Sequence, residues 1–153
     1  MTAHFLLIPE AVATLGADTK QTILDEVAAR LARAYALDCG VIRERIGLRE
    51  EIGSTGFGRG VAIPHARIPG LSRPVAAFFR LASPVEFDAA DAMPVDLVFA
   101  LLSPEAAGAS HLHALAAISR MMRDERMHEA LSRAPDAEAL YALLCNVDDR
   151  DAA

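Results

Sequence analysis

The apolar residues of this chain recur at helical spacing in some segments and run together in others, and this alternation predicts its secondary structure. In segment 19–37 the apolar positions, such as Val27 and Leu31, return every three or four residues. That spacing is typical of an amphipathic helix with one face on the core. Asp18 is the predicted N-cap of this helix and Gly40 its predicted stop.

Further helices and strands follow from the same pattern. Helical periodicity predicts four more helices, at 41–49, 110–123, 125–134 and 136–144. Pro135 separates the last two, and Asp136 is the predicted cap of the second. Short apolar runs predict buried strands at 61–63, 75–82 and 95–102. A helix, then strands, then helices predict an α/β fold, layered around one sheet.

The length of 153 residues suits one domain with a single core, which we assign to residues 1–147. The acidic end at 148–153 is predicted to be a flexible tail. The longest apolar stretch, 95–102, is far shorter than the ~20 residues that a membrane span needs. The chain also starts without the basic segment and long apolar run of a signal peptide. We therefore expect a cytosolic protein with no integral membrane segment.

Charge and cysteine use exclude further classes of protein. The net charge of −6 argues against a nucleic-acid partner, because such binders carry a basic patch. Lys20 is the only lysine, which excludes a phosphate loop of the Gly-Lys-Ser/Thr type. Cys39 and Cys145 lie far apart and lack the spacing of a metal or redox motif. No metal and no cofactor is expected.

A glycine-rich segment that ends at a histidine is the strongest chemical feature of the chain. Residues 53–60 contain four glycines, and the predicted strand 61–63 and Pro64 then lead to His65. The misplaced third glycine and the proline exclude a dinucleotide-binding fingerprint. The segment is then either a structural hairpin or a loop that shapes a shallow anion site. In the second case the phosphate loop consists of Ser54, Thr55 and Gly56.

We predict that His65 is a nucleophile that accepts and passes on a phosphoryl group. A lone histidine is most often structural, but Arg49 and Arg67 lie close to this one in sequence. Ser54 and Thr55 supply hydroxyl groups nearby. An imidazole with an ordinary pKa of about 6.5 offers a free lone pair near neutral pH. A guanidinium beside it would stabilise the charge of the transferring group.

His111 is the second candidate for a histidine with a functional role. In a helix over 110–123, His111 shares its face with Ile118, whereas His113 shares a more polar face with Arg120. His111 should therefore point towards the core or a site, and His113 towards solvent. The two lie on nearly opposite faces of a helix, so a zinc site that uses both is not expected. The equal alternative for His111 is a structural histidine that bonds a nearby backbone group.

Five stretches of the chain, taken together and in order, resemble a known family. They are Arg49-Glu50-x-x-Gly53-Ser54-Thr55-Gly56, Gly60-Val61-Ala62-Ile63-Pro64-His65, Pro84-x-x-Phe87-Asp88, Pro94-Val95-Asp96-Leu97-Val98-Phe99-Ala100-Leu101-Leu102 and His111-Leu112-x-x-Leu115. They resemble the IIA domains, of the fructose/mannitol type, of the bacterial phosphoenolpyruvate-dependent sugar phosphotransferase system, from about residue 5 to residue 145. The resemblance implies a single α/β domain with a mixed central β-sheet flanked by helices.

The resemblance also implies roles for individual residues. His65 would be phosphorylated by a histidine-containing phosphocarrier protein, with Nε2 as the favoured atom. His111 would lie beside it and help to bind the phosphoryl group. Arg49 matches the family arginine near that site. Ala66 is a small departure, because glycine often follows the active histidine in the nitrogen-regulatory members.

Two branches of this family differ in what phosphorylation achieves. The stretch from Leu101-Leu102-Ser103-Pro104 to His111-Leu112-His113 resembles the nitrogen-regulatory branch. We therefore predict a phosphoryl carrier, rather than a turnover enzyme, whose phosphorylation state controls partner proteins. The alternatives are a sugar-specific IIA subunit that passes phosphate to a IIB domain, and a regulatory binding module without phosphotransfer. A metal-dependent hydrolase is the weakest hypothesis, because no carboxylate–histidine motif accompanies the histidines.

Overall fold

A mixed sheet with helices packed on it forms the fold. The structure, a computed structural model, describes the backbone of residues 4–152 and the side chains of residues 4–146. Within that range the strands are β1 Val12–Leu15, β2 Gly56–Gly58, β3 Val61–Ala62, β4 His65–Ile68, β5 Val75–Val85 and β6 Val95–Pro104. The helices are α1 Lys20–Tyr35, α2 Cys39–Ile52, α3 Ala109–Arg123, α4 Glu125–Arg133 and α5 Ala137–Ala152, with a short 3-10 helix at Pro9–Ala11.

The strands pair in the order β1-β5-β6-β3-β2, and β4 also lies beside β6. β5 and β6 are antiparallel, whereas β1 is parallel to β5, and β3 and β4 are parallel to β6. Phe78 of β5 and Phe99 of β6 are fully buried and meet edge to face, with ring centroids 5.5 Å apart. Helices α1, α2, α3 and α5 pack against strands of this sheet. The predicted α/β fold with a mixed sheet is confirmed.

β3 and β4 form one interrupted line along the edge of β6. Ala62 lies opposite Val98 and His65 opposite Leu101, so both strands advance by the same three residues across the gap. Pro64 in the gap lacks an N–H group, but its carbonyl accepts a hydrogen bond from the Leu101 N–H at 2.9 Å. β6 therefore holds the backbone before the break, at Ala62, and after it, at His65.

The predicted ends of the first helix are wrong. Thr19, rather than Asp18, is the N-cap, because the Thr19 hydroxyl accepts a hydrogen bond from the N–H of Thr22 at 3.1 Å. The helix ends at Tyr35, well before Gly40, and is followed by the C-cap Ala36 in the left-handed conformation. Gly40 instead lies in the first turn of α2.

Other predicted elements differ from the structure in length or are missing from the prediction. α2 is longer at both ends than the predicted 41–49, and the last helix runs well past the predicted end at residue 144. β1 and β4 have only four residues each, too few for a periodic pattern, and they become strands by pairing with β5 and β6. The Asp136 cap is confirmed by its bond from the Ala139 N–H at 2.9 Å. The predicted tail, 148–153, lies outside the described side chains and stays a prediction.

Candidate functional site

His65 opens β4 with its imidazole half-buried. Its Nδ1 lies 2.8 Å from the carbonyl oxygen of Ile63, two residues earlier. A carbonyl oxygen can only accept a hydrogen bond, so Nδ1 carries the proton of the neutral ring. Nε2 then holds the free lone pair of the ring.

The surroundings of His65 keep this ring neutral at pH 7. Burial lowers the pKa of His65 below its ordinary value of 6.5, and the positive charge of Arg49 lowers it further. The hydrogen bond to Ile63 and the negative charge of Glu50 offset part of this shift. The lone pair on Nε2 is therefore available at neutral pH.

His111, near the start of α3, lies next to His65. The two ring centroids are 5.6 Å apart, and the side chain of His111 is only 7% exposed. Its Nδ1 lies 2.7 Å from the hydroxyl of Ser103, a buried residue of β6. Burial first, and then the charges of His65 and Arg67, lower the pKa of His111 to about 4. His113 is exposed, as its polar helical face predicts.

Arginine side chains surround the two imidazoles. Arg49 and Arg67 line the same shallow depression as His65 and His111. One guanidinium nitrogen of Arg49 donates to the carbonyl of Gly53 at 2.7 Å. A guanidinium carries five N–H groups, so this one bond leaves donors that can meet an anion. The structure thus brings together the three residues to which the resemblance gives roles in phosphoryl transfer.

The predicted phosphate loop is held mainly by contacts within the protein. The Ser54 hydroxyl donates to the carbonyl of Phe87 at 2.7 Å and accepts from the Gly56 N–H at 3.0 Å. A Cβ on Gly56 would lie 2.6 Å from the Cα of Ala89, so only glycine allows this approach. The phosphate-binding role of Ser54, Thr55 and Gly56 stays a prediction, although all three line a depression beside His65.

Sequence reasoning missed two charged residues behind this loop. The side chain of Glu50 is only 6% exposed, and its Oε1 lies 2.8 Å from the Nζ of Lys20. The carboxylate also accepts bonds from the N–H and the hydroxyl of Thr55, at 2.8 and 2.6 Å. The signals were that Lys20 is the sole lysine and that Glu50 stands beside Arg49 in the first motif. Neither signal says that the two side chains meet.

The described residues contain neither a metal-binding cluster nor a membrane-spanning helix. No group of three or more His, Cys, Asp or Glu side chains among them is placed to hold a metal ion. None of the helices in that part of the chain combines the length and apolar character needed to cross a bilayer.

The match to a family model identifies the family. Residues 6–147 match the family described as "Phosphoenolpyruvate-dependent sugar phosphotransferase system, EIIA 2". The chain belongs to this EIIA 2 family. The match spans every helix and strand of the structure apart from the end of α5, and the resemblance inferred from the motifs is confirmed.

Individual relatives of this EIIA 2 protein include nitrogen regulatory and sugar-specific proteins. A nitrogen regulatory protein from Bradyrhizobium diazoefficiens is 42% identical over 140 residues, 91% of this chain and 92% of that protein. The crystal structure of the nitrogen regulatory protein IIA-Ntr from Neisseria meningitidis has a TM-score of 0.83 and 36% identity, covering 90% of this chain and 95% of that one. A fructose-specific EIIA component from Haloferax volcanii is 36% identical over 118 residues, 73% of this chain and 77% of that protein.

Proposed function

We propose that this EIIA 2 protein is a phosphoryl carrier of the nitrogen-regulatory type, phosphorylated on Nε2 of His65 by a histidine phosphocarrier protein. The observation that carries the proposal is the bond from Nδ1 of His65 to the carbonyl of Ile63, which leaves Nε2 as the free nucleophile. His111 and Arg49 line the same depression as His65. The similarity to nitrogen regulatory proteins over nearly the whole chain supports the regulatory branch.

The transfer step needs only the neutral imidazole. The lone pair of Nε2 attacks the phosphorus of the phosphohistidine on the donor, and a new N–P bond forms. The N–P bond of the donor breaks, and its electron pair returns to the donor imidazole. The positive charge that the His65 ring gains is stabilised by the bond from Nδ1–H to Ile63.

Charge on the transferring oxygens is met by His111 and Arg49. When the Ser103 hydroxyl donates to Nδ1 of His111, Nε2 of that ring carries the proton and can donate to a phosphoryl oxygen. The guanidinium of Arg49 supplies further donors and a positive charge. In this proposal the phosphate loop of Ser54, Thr55 and Gly56 shapes the wall beside the transferring group.

Intact-mass measurement tests the carrier function. We expect the chain to gain one phosphoryl group when incubated with phosphoenolpyruvate, the general upstream enzyme and the phosphocarrier protein. With a pre-phosphorylated donor, the labelling rate should stay constant as the pH falls through 6.5 and decline only below it, because the pKa of His65 is lowered from 6.5 and the protonated ring lacks a lone pair. An unchanged mass would favour the binding module without phosphotransfer.

The alternative function is that of a sugar-specific IIA subunit, which the similarity to a fructose-specific component supports. We place the chain in the cytoplasm. In the regulatory branch it keeps its phosphoryl group, and regulated proteins bind either the phosphorylated or the free form. We expect His65→Ala and His65→Asp, the latter an approximate charge mimic, to capture different partner proteins in a pull-down. Rapid passage of the label to a IIB domain would instead establish the sugar branch.

A further inference from the structure

A buried ion pair lies behind the loop that leads to His65. The carboxylate of Glu50 accepts from three donors: the Nζ of Lys20 and both the N–H and hydroxyl of Thr55. Lys20 also lies over the ring of Phe87, 4.8 Å from its centroid. Because the Glu50 side chain is only 6% exposed, its carboxylate is stable only when its oxygens are paired in this way.

Backbone hydrogen bonds continue from this ion pair to the nucleophile. The N–H of Thr55 is bonded to Glu50, and the carbonyl of Thr55 accepts a hydrogen bond from the N–H of Ile63 at 3.0 Å. The carbonyl of Ile63 in turn accepts the bond from Nδ1 of His65 at 2.8 Å. Thr55 therefore links the ion pair to Ile63, and Ile63 links Thr55 to His65.

We propose that Glu50, held by Lys20, is a positioning residue for phosphoryl transfer, because it fixes through Thr55 the Ile63 carbonyl that orients His65. The inference rests on the proposed function of His65 and adds a residue to it. Glu50 touches neither the imidazole nor the depression that surrounds it, so it acts through the loop. Its charge also opposes that of Arg49 at His65, whereas His111 and Arg67 line the depression itself.

Glu50→Gln tests this role, because it keeps the size of the side chain and removes its charge. Glu51→Gln is the matched control, since Glu51 is the next residue of α2 and is exposed. We expect Glu50→Gln to slow labelling roughly tenfold or more, since a displacement of about 1 Å in a reacting group can cost about 100-fold. Glu51→Gln should label at the wild-type rate. Lys20→Met should slow labelling as Glu50→Gln does, whereas Lys20→Arg should retain most of the wild-type rate.

Nitrogen NMR of the His65 ring separates positioning from general destabilisation. In folded Glu50→Gln we expect a smaller fraction of the tautomer with the proton on Nδ1, and a lower pKa for His65, because the charge of Glu50 raises it. Wild-type ring signals and labelling in folded Glu50→Gln would overturn the inference. If Glu50→Gln does not fold, the ring signals and labelling rates of Lys20→Met and Lys20→Arg test the inference in its place.

The same spectra distinguish this inference from the proposed function. They are recorded without any donor protein, so they report the orientation of His65 even in a chain that never becomes labelled. A wild type that is not labelled, together with altered ring signals in Glu50→Gln, would reject the carrier function and retain the link from Glu50 to His65. A wild type that is labelled, together with wild-type signals and rates in Glu50→Gln, would support the carrier function and reject the link from Glu50 to His65.

Discussion

His65→Ala is expected to abolish phosphoryl labelling of the chain completely. Among the side chains that the structure describes, the substitution removes the one imidazole that lines the arginine-lined depression and has its Nδ1 bonded to a backbone carbonyl. Loss of the acceptor removes the reaction itself, so the effect should exceed that of any change to a supporting residue. Intact mass after incubation with phosphoenolpyruvate and the upstream proteins measures it directly.

His113→Ala is the matched control for that experiment. His113 is also a histidine, lies two residues from His111 and is exposed on another face of α3. We expect it to label like the wild type. A phosphoryl group on His65→Ala, or its loss in His113→Ala, would show that another residue is the acceptor.

His111→Ala is expected to slow the labelling of His65 by about 100-fold while the chain still folds. Removal of one preorganised donor to a transition-state oxygen typically costs a factor of about 100 to 1,000, and the nucleophile in this variant is intact. The buried Ser103 hydroxyl loses its partner, which costs roughly 1–3 kcal/mol of stability. Single-turnover labelling from a phosphorylated donor measures the rate, and thermal unfolding measures the stability.

Ser103→Ala separates the two effects of that change. It removes the hydroxyl that sets the tautomer of His111 but retains the imidazole, so we expect a smaller loss of rate than in His111→Ala. Equal labelling rates in the wild type and in His111→Ala would leave this histidine with a structural role only.

The sequence predicted the main helices and the long strands because their apolar patterns extend over many residues. It also placed His111 and His113 on different helical faces, since that follows from spacing alone. The residues proposed for phosphoryl transfer were assigned largely through the family resemblance, because proximity in sequence says little about which arginine reaches an imidazole. β1 and β4 were missed because four residues carry too little pattern.

The pairing of Lys20 with Glu50 could not be predicted for a different reason. They are far apart in the chain and meet only when α1 and α2 pack together. The choice of Thr19 over Asp18 as the cap depends on the local backbone angles, since either side chain has a suitable oxygen. Long-range contacts and local geometry therefore set the limit of sequence reasoning in this chain.

If His65 is phosphorylated, the continuous register of β3 and β4 along β6 limits how a partner can recognise that form. The backbone of His65 pairs with Leu101 of β6, and the carbonyl of the preceding Pro64 accepts a bond from the Leu101 N–H, so an added phosphoryl group would leave the strand in place. What changes instead is the local electrostatic potential, as about two negative charges arrive beside Arg49 and Arg67. We therefore expect a partner to distinguish the two forms by the sign of the charge it meets, and to lose that distinction at high ionic strength.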